Sequence, residues 1–144
     1  MAQQAPEASR RLTILIVEDN VALAEVHAMR LRLDGFQVTT VTTAPEGLAE
    51  ALRSPPDVIF LDVWLKVGNG LDLLAELRRY APTRDVPTLI LSSDDDPDLI
   101  RRAAALGARD YLIKSVGPLS LISAAATRWA GKGAPGGLTM RPAQ

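Results

Sequence analysis

Short apolar runs in this chain end in charged or hydroxyl-bearing side chains. These terminal side chains are Glu18, Asp19, Asp62, Ser92 and Lys114. An unbroken apolar run of this length is typical of a strand that is buried on both faces of a parallel sheet. The carboxyl ends of parallel strands lie at one edge of the sheet, where such folds bind their ligands. We therefore expect three carboxylates, one hydroxyl and one ammonium group to converge there.

The convergence predicts a metal-assisted phosphoryl site. Three neighbouring carboxylates repel one another unless a cation neutralises them. Their oxygens favour a hard ion, of which Mg²⁺ fits best, and the chain has no cysteine and one histidine to offer instead. Mg²⁺ beside Lys114 and Ser92 would accommodate a phosphoryl group. Asp62 would then be the nucleophile that forms an acyl phosphate.

Composition restricts the class of protein. The 144 residues fit one domain, 47% of them are apolar, and the net charge of −1 gives no reason to expect nucleic-acid or membrane binding. Residues 1–10 are polar and lack the apolar core of a signal peptide. We expect a cytoplasmic protein with a disordered N-terminus at 1–10, a domain at 11–130 and a flexible Gly/Pro-rich tail at 131–144.

Five strand patterns alternate with five helix patterns. This alternation predicts an α/β protein, with a doubly wound parallel sheet and right-handed crossovers. The predicted strands are 12–17, 36–41, 58–61, 88–91 and 109–113, and the predicted helices are 21–34, 43–52, 71–80, 96–106 and 119–130.

The first predicted helix has an apolar stripe at helical spacing. The stripe consists of Ala22, Val26, Met29 and Leu33, which we expect to face the core. His27 lies off this stripe and is predicted to be a surface residue.

The order of these motifs resembles the receiver domain of two-component response regulators, of the single-domain chemotaxis type. The resemblance covers about residues 12–130. It rests on Val17-Glu-Asp-Asn20, Leu61-Asp62 with Gly70 eight residues later, Leu91-Ser92-Ser93 and Gly107-Ala-Arg-Asp-Tyr-Leu-Ile-Lys114. It implies a flavodoxin-like (βα)5 fold with strand order 2-1-3-4-5.

The resemblance also implies a role for each site residue. Asp62 would accept phosphate, and Mg²⁺ would be held by Glu18, Asp19, Asp62 and the main-chain carbonyl of Trp64. Lys114 and Ser92 would contact the phosphoryl group. Tyr111 matches the family's switch aromatic, which turns inward as the Ser92 hydroxyl moves.

Two prolines that are usual in the family are absent from this chain. Ser115 stands where the family usually has a proline preceded by a cis bond. A cis bond before a residue other than proline costs about 3–4 kcal/mol. We therefore expect the Lys114–Ser115 bond to be either trans, with a shifted loop, or cis and strained. Lys66 replaces another usual proline, which should loosen the loop after Asp62.

The function expected from the resemblance is a phosphorylation-controlled switch in two-component signalling or a phosphorelay, and not an enzyme. Its partners would be a histidine kinase or phosphotransfer protein and a downstream protein target, with the chain a monomer or weak dimer. A receiver fragment of a larger regulator and a phosphorylation-independent pseudo-receiver are alternatives. A haloacid-dehalogenase-type phosphatase is disfavoured because Trp64 stands where that family needs a second acid. A flavin protein is disfavoured because no phosphate-cradling loop follows the first strand.

Overall fold

Strands and helices alternate along the chain in the computed structural model, which describes residues 10–114 and 119–130. The strands are β1 (Thr13–Val17), β2 (Gln37–Val41), β3 (Val58–Leu61), β4 (Thr88–Ser92) and β5 (Asp110–Ile113). The helices are α1 (Val21–Leu33), α2 (Ala44–Arg53), α3 (Gly70–Leu77), α4 (Pro97–Ala105) and α5 (Ser120–Trp129). Every predicted element is present, with ends that differ by up to three residues.

The five strands form one parallel sheet in the order β2-β1-β3-β4-β5. The predicted strand order is therefore confirmed. Because all five strands run the same way, the residues that follow β1, β3, β4 and β5 lie at a common edge of the sheet.

Helices cover both faces of the sheet, and each face has its own apolar core. One core contains residues of α2, α3 and α4, including Ala51, Leu74 and Ala103. The other contains residues of α1 and α5, including Leu31 and Ala126. Central β3 supplies Ile59 and Leu61 to the first core, and Val58 and Phe60 to the second.

Side chains in the preceding loops fix the starts of four helices. Asn20 Oδ1 accepts from the Leu23 amide at 3.0 Å, and Thr43 Oγ1 accepts from the Glu46 amide at 3.1 Å. Asn69 and Asp96 make equivalent contacts at the starts of α3 and α4. These caps satisfy amide groups that have no partner within the helix.

The prediction of the buried face of α1 was wrong. The predicted stripe is exposed, with Val26 at 44%, Met29 at 56% and Leu33 at 82% of their full accessibility. The buried residues of α1 are Ala24, His27, Ala28 and Leu31. Small alanine side chains let the helix lie close to the sheet, so the larger residues of the other stripe face outward.

His27 was predicted to be a surface residue, and it is buried. Its side chain faces inward from α1 with 4% of its surface exposed. Its neighbour Ala28 is fully buried on the same side of the helix.

Three predictions fall outside the described residues: positions 1–9 of the N-terminal segment predicted at 1–10, the Lys114–Ser115 bond, and the tail at 131–144. Within the described part of the chain, no helix is long and apolar enough to cross a bilayer.

Candidate functional site

Three acidic residues meet at the carboxyl edge of the sheet. Glu18 and Asp19 follow β1, and Asp62 follows β3. Each offers a carboxylate oxygen, and these oxygens all lie within 4.8 Å of one another. The predicted convergence is therefore present, with Glu18 and Asp62 buried and Asp19 partly exposed.

Lys114 reaches into this cluster from the end of β5. Its Nζ lies 2.7 Å from Asp62 Oδ2 and 2.5 Å from Glu18 Oε1. Burial by itself would lower the pKa of Lys114, but the hydrogen bonds to Asp62 and Glu18 outweigh it and leave the pKa above its ordinary value. The lysine therefore stays protonated and neutralises part of the acidic charge.

Glu18 is the most deeply buried of the three acids. Its side chain is 2% exposed, and its Oε2 accepts from the Asn20 amide at 3.0 Å. Burial raises the pKa of Glu18 above its ordinary value, and the nearby negative charge of Asp62 acts in the same direction. Hydrogen bonds from Lys114 and the Asn20 amide offset part of this rise. A further cation would favour the charged form of this carboxylate.

The loop after Asp62 is tied to the acidic cluster by main-chain amides. The Trp64 amide lies 3.4 Å from Asp62 Oδ1, and the Lys66 amide donates to Asp19 Oδ2 at 2.8 Å. Proline at position 66 would have no amide hydrogen to donate, so Lys66 makes this contact possible. The prediction that the loop is looser without the proline did not take this contact into account.

Gly70 is required by the close approach of the start of α3 to the main chain of Asp62 at the end of β3. A Cβ placed on Gly70 would lie 2.0 Å from the Asp62 carbonyl oxygen, which no side chain could occupy. The Gly70 amide also donates to the Val63 carbonyl at 2.8 Å. The glycine eight residues after Asp62 thus lets the loop fold back beside the site.

Ser92 and Tyr111 lie next to each other beside the cluster. Ser92 is the last residue of β4 and is fully buried. The Tyr111 hydroxyl donates to the Asp94 carbonyl at 2.6 Å, and the ring is 2% exposed. Burial raises the pKa of Tyr111, and a hydrogen bond with Ser92 offsets part of this rise.

Asp94 has a structural role that its sequence context did not predict. The acidic run at 94–96 predicts a solvated loop with a helix cap. Asp96 does cap α4, because its side chain accepts from the Asp98 amide at 3.0 Å. Asp94 Oδ2, however, accepts from Trp64 Nε1 at 3.0 Å. The contact joins loops that are 30 residues apart, so no local pattern could have indicated it.

The donor set fits Mg²⁺. The available ligands are carboxylate oxygens from Glu18, Asp19 and Asp62, which suit a hard cation that keeps several of its waters. Lys114 neutralises one of the three negative charges, so a divalent cation would balance the two that remain. The Trp64 carbonyl remains a predicted ligand.

A family model described as the response regulator receiver domain matches residues 14–126 of this chain. The chain belongs to this family. The match runs from the start of β1 into α5 and includes every predicted site residue.

A curated relative is the probable transcriptional regulatory protein TcrX of Mycobacterium tuberculosis. It is 37% identical over 103 residues, which cover 72% of this chain and 43% of TcrX. The sensory transduction protein RegX3 of Mycobacterium bovis is 35% identical over 111 residues, which cover 77% of this chain and 48% of RegX3. The chain thus spans less than half the length of these relatives.

Solved receiver structures have the same fold. The receiver domain of sensor histidine kinase PA1611 from Pseudomonas aeruginosa, which has a magnesium ion in its active-site cleft, superposes with a TM-score of 0.76. It is 28% identical, and the match covers 83% of this chain and 98% of that domain. The chemotaxis protein CheY4 of Vibrio cholerae is 26% identical with a TM-score of 0.77, covering 83% and 99%. The predicted flavodoxin-like receiver fold is confirmed.

Proposed function

We propose that this chain is a phosphorylation-controlled switch in which Asp62 accepts a phosphoryl group from a histidine kinase or phosphotransfer protein. The observation that carries the proposal is the position of the Asp62 carboxylate. One oxygen lies 2.7 Å from Lys114 Nζ, the other faces the Trp64 amide, and Glu18 and Asp19 are adjacent. This arrangement supports roles for Asp62 as the nucleophile, Lys114 as the cation, and Glu18 and Asp19 as further metal ligands.

The transfer step follows from these contacts. A carboxylate oxygen of Asp62 attacks the phosphorus of a phosphohistidine, the P–N bond breaks, and the imidazole leaves as it takes up a proton. Lys114 and the Trp64 amide stabilise the charge on the phosphoryl oxygens, because they already point at the carboxylate that would carry them. A Mg²⁺ ion held by Glu18, Asp19 and Asp62 would neutralise further negative charge on the phosphoryl oxygens.

The phosphoryl group would change the surface beyond the site through Ser92 and the loop that leads into α4. Ser92 Oγ accepts from the Asp94 amide at 3.2 Å and lies beside the Tyr111 hydroxyl. A phosphoryl group that takes a hydrogen bond from Ser92 would alter contacts of the loop that leads into α4. The proposed output surface comprises α4, β5 and α5, and its target is a protein.

Incubation with Mg²⁺ and acetyl phosphate, followed by intact mass, tests the proposal. We expect the wild-type chain to gain one phosphoryl group and to lose this gain in Asp62→Asn and when Mg²⁺ is removed. Asp57→Asn is the matched control, because Asp57 precedes the same strand at the opposite end of the sheet. A wild-type chain that stays unmodified while a known receiver is modified would contradict the proposal and favour the pseudo-receiver.

The lengths of the relatives favour a second candidate, in which this receiver is part of a transcriptional regulator. TcrX is a probable transcriptional regulatory protein, and the matched region covers 43% of it. An antibody against this domain would distinguish the two candidates in a lysate of the source cells. A band at the size of a 144-residue chain supports a stand-alone switch. A band at the size of a chain of about 240 residues, the length that 103 residues at 43% coverage imply for TcrX, supports the regulator.

A further inference from the structure

The Trp64 indole forms a bridge between the loop after β3 and the loop after β4. Trp64 is 54% exposed, yet its Nε1 donates to the Asp94 carboxylate at 3.0 Å. A hydrogen bond to a charged acceptor is stronger than one between neutral groups. Its loop is also held at Asn69, which forms an antiparallel bridge with Trp64. The indole is therefore presented from a loop that is fixed at its base.

Asp94 uses all its polar groups to connect different parts of the molecule. One carboxylate oxygen accepts from Trp64, and the other accepts from the Asp96 amide at 3.0 Å. Its amide donates to Ser92 Oγ at 3.2 Å, and its carbonyl accepts from the Tyr111 hydroxyl at 2.6 Å. The position of the Asp94 carbonyl, on which Tyr111 depends, is thus set partly by Trp64.

Tyr111 is held in its buried position by groups of the chain itself. The ring is 2% exposed and belongs to the core beneath α4, whereas Tyr80, the other tyrosine of the chain, is 40% exposed. The hydroxyl contacts the Asp94 carbonyl and Ser92, and neither contact requires a phosphorylated residue.

We propose that the Trp64–Asp94 hydrogen bond holds Tyr111 in its buried position whether or not Asp62 carries a phosphoryl group. The bridge shifts the resting equilibrium of the β4–α4 loop toward the arrangement in which the Asp94 carbonyl receives the Tyr111 hydroxyl. The position of Tyr111 is therefore preset, and filling the site acts on α4 through Ser92 rather than through a rotation of Tyr111. This inference builds on the proposed function, because it describes how the response to phosphorylation is set.

Nitration of tyrosine by tetranitromethane tests the bridge, with each tyrosine followed by peptide mass spectrometry at one fixed, mildly alkaline pH. The chain has no cysteine to compete for the reagent, and Tyr80 serves as an internal control. The variants are Trp64→Phe, which keeps an aromatic ring and removes the indole donor, and Asp94→Ala, which removes the acceptor. Asp95→Ala is the matched control, because it removes the same charge from the exposed neighbouring residue.

In the wild-type chain we expect Tyr111 to be nitrated about tenfold more slowly than Tyr80, because reaction requires local opening. Trp64→Phe and Asp94→Ala should each speed nitration of Tyr111 about fivefold, the scale of one lost hydrogen bond at a partly exposed position. Asp95→Ala should leave the rate unchanged. Tyr80 should react equally in all four proteins, and equal rates exclude general unfolding as the cause.

Addition of Mg²⁺ and beryllium fluoride, which imitates an acyl phosphate, completes the test. It should change the wild-type rate by less than about twofold and restore slow nitration in Trp64→Phe, because a filled site draws the loop back. Nitration of Tyr111 in Trp64→Phe at the wild-type rate would overturn the proposal. So would a wild-type Tyr111 that is as reactive as Tyr80 until the site is filled.

Failure of the proposed function would give a different result. If the chain does not take up phosphate from acetyl phosphate, beryllium fluoride would restore nothing in Trp64→Phe. The difference between Trp64→Phe and the wild type without beryllium fluoride would still measure the bridge. The two ideas are thus tested by separate readouts on the same samples.

Discussion

His27 is a buried titratable residue with an unsatisfied ring nitrogen. Its side chain is 4% exposed, and its Nδ1 has no hydrogen-bond partner among the described residues. Burial lowers the pKa of His27, and the positive charge of Lys114 lowers it further. The folded protein therefore resists protonation of a group that an unfolded chain protonates near pH 6.5.

This environment predicts a loss of stability in mild acid. The folded-state pKa of His27 is lowered, so the unfolded state binds more protons as the pH falls. The contribution of neutral His27 to the free energy of unfolding is complete above about pH 6.5 and is lost as the pH falls through the folded-state pKa. Over this range the free energy of unfolding falls by no more than about 1.4 kcal/mol per pH unit. Urea unfolding at a series of pH values should show this decline, and His27→Gln should show a shallower one. Identical slopes for the two proteins would mean that His27 does not titrate on unfolding.

At the scale of single residues, the types that end the strands were enough to predict the acidic cluster. Glu18, Asp62 and Lys114 interrupt apolar runs, and a parallel sheet brings such interruptions together. The role of Asp94 was not predictable, because its contacts with Trp64 and Tyr111 depend on how two loops meet. The assigned roles of the site residues in phosphoryl transfer and switching remain predictions.

At the scale of elements, α1 shows where periodicity is insufficient. The helix has an alanine-rich stripe and a stripe of larger apolar residues, and both have helical spacing. Hydrophobicity favours the larger residues as the core face, whereas the sheet accepts the smaller ones because they allow close packing. The sequence pattern therefore predicts the helix but not its rotation.

The rotation of α1 can be tested by a pair of substitutions. Leu33→Gln should change the free energy of unfolding by less than about 0.5 kcal/mol, because Leu33 is 82% exposed. Ala28→Leu should cost about 2 kcal/mol, because Ala28 is fully buried among residues of α5 and the sheet. Chemical denaturation measures both values. A larger loss for Leu33→Gln than for Ala28→Leu would contradict the observed face.

The remaining elements were predictable because local and long-range preferences agree. Asn20, Thr43 and Asp96 cap the helices that follow them, and apolar runs mark the strands. Helix α3 ends at Leu77, although its predicted helix continued to position 80, and Thr83 Oγ1 donates to the Leu77 carbonyl at 2.7 Å just after that end. A contact made six residues later in the chain is not visible in helical periodicity.

At the scale of the whole molecule, the acidic cluster connects three strands of the sheet. Glu18 follows β1, Asp62 follows β3 and Lys114 follows β5, and the lysine bonds both acids. Among residues 10–114 and 119–130, one lysine offsets the three carboxylates, and burial raises the pKa of Glu18, so keeping this residue charged costs stability. A cation bound there would stabilise the sheet as a unit, because the site exists only when these strands are assembled.

Mg²⁺ should therefore raise the free energy of global unfolding. At a concentration about 100-fold above its Kd, the expected increase is about 2.7 kcal/mol, measured by urea unfolding against sodium chloride of equal ionic strength. Asp19→Asn should lose most of this increase, because it removes one ligand of the cluster from a partly exposed position.

Asp57→Asn provides the matched control for this prediction. Asp57 is a carboxylate at the opposite end of β3, where its Oδ2 accepts from the Thr13 amide at 2.7 Å. Its loss should lower the stability of the protein and leave the increment from Mg²⁺ unchanged, because linkage depends on the binding site and not on total stability. Equal increments in Asp19→Asn and wild type would place the ion elsewhere and would remove Mg²⁺ from the proposed chemistry of Asp62.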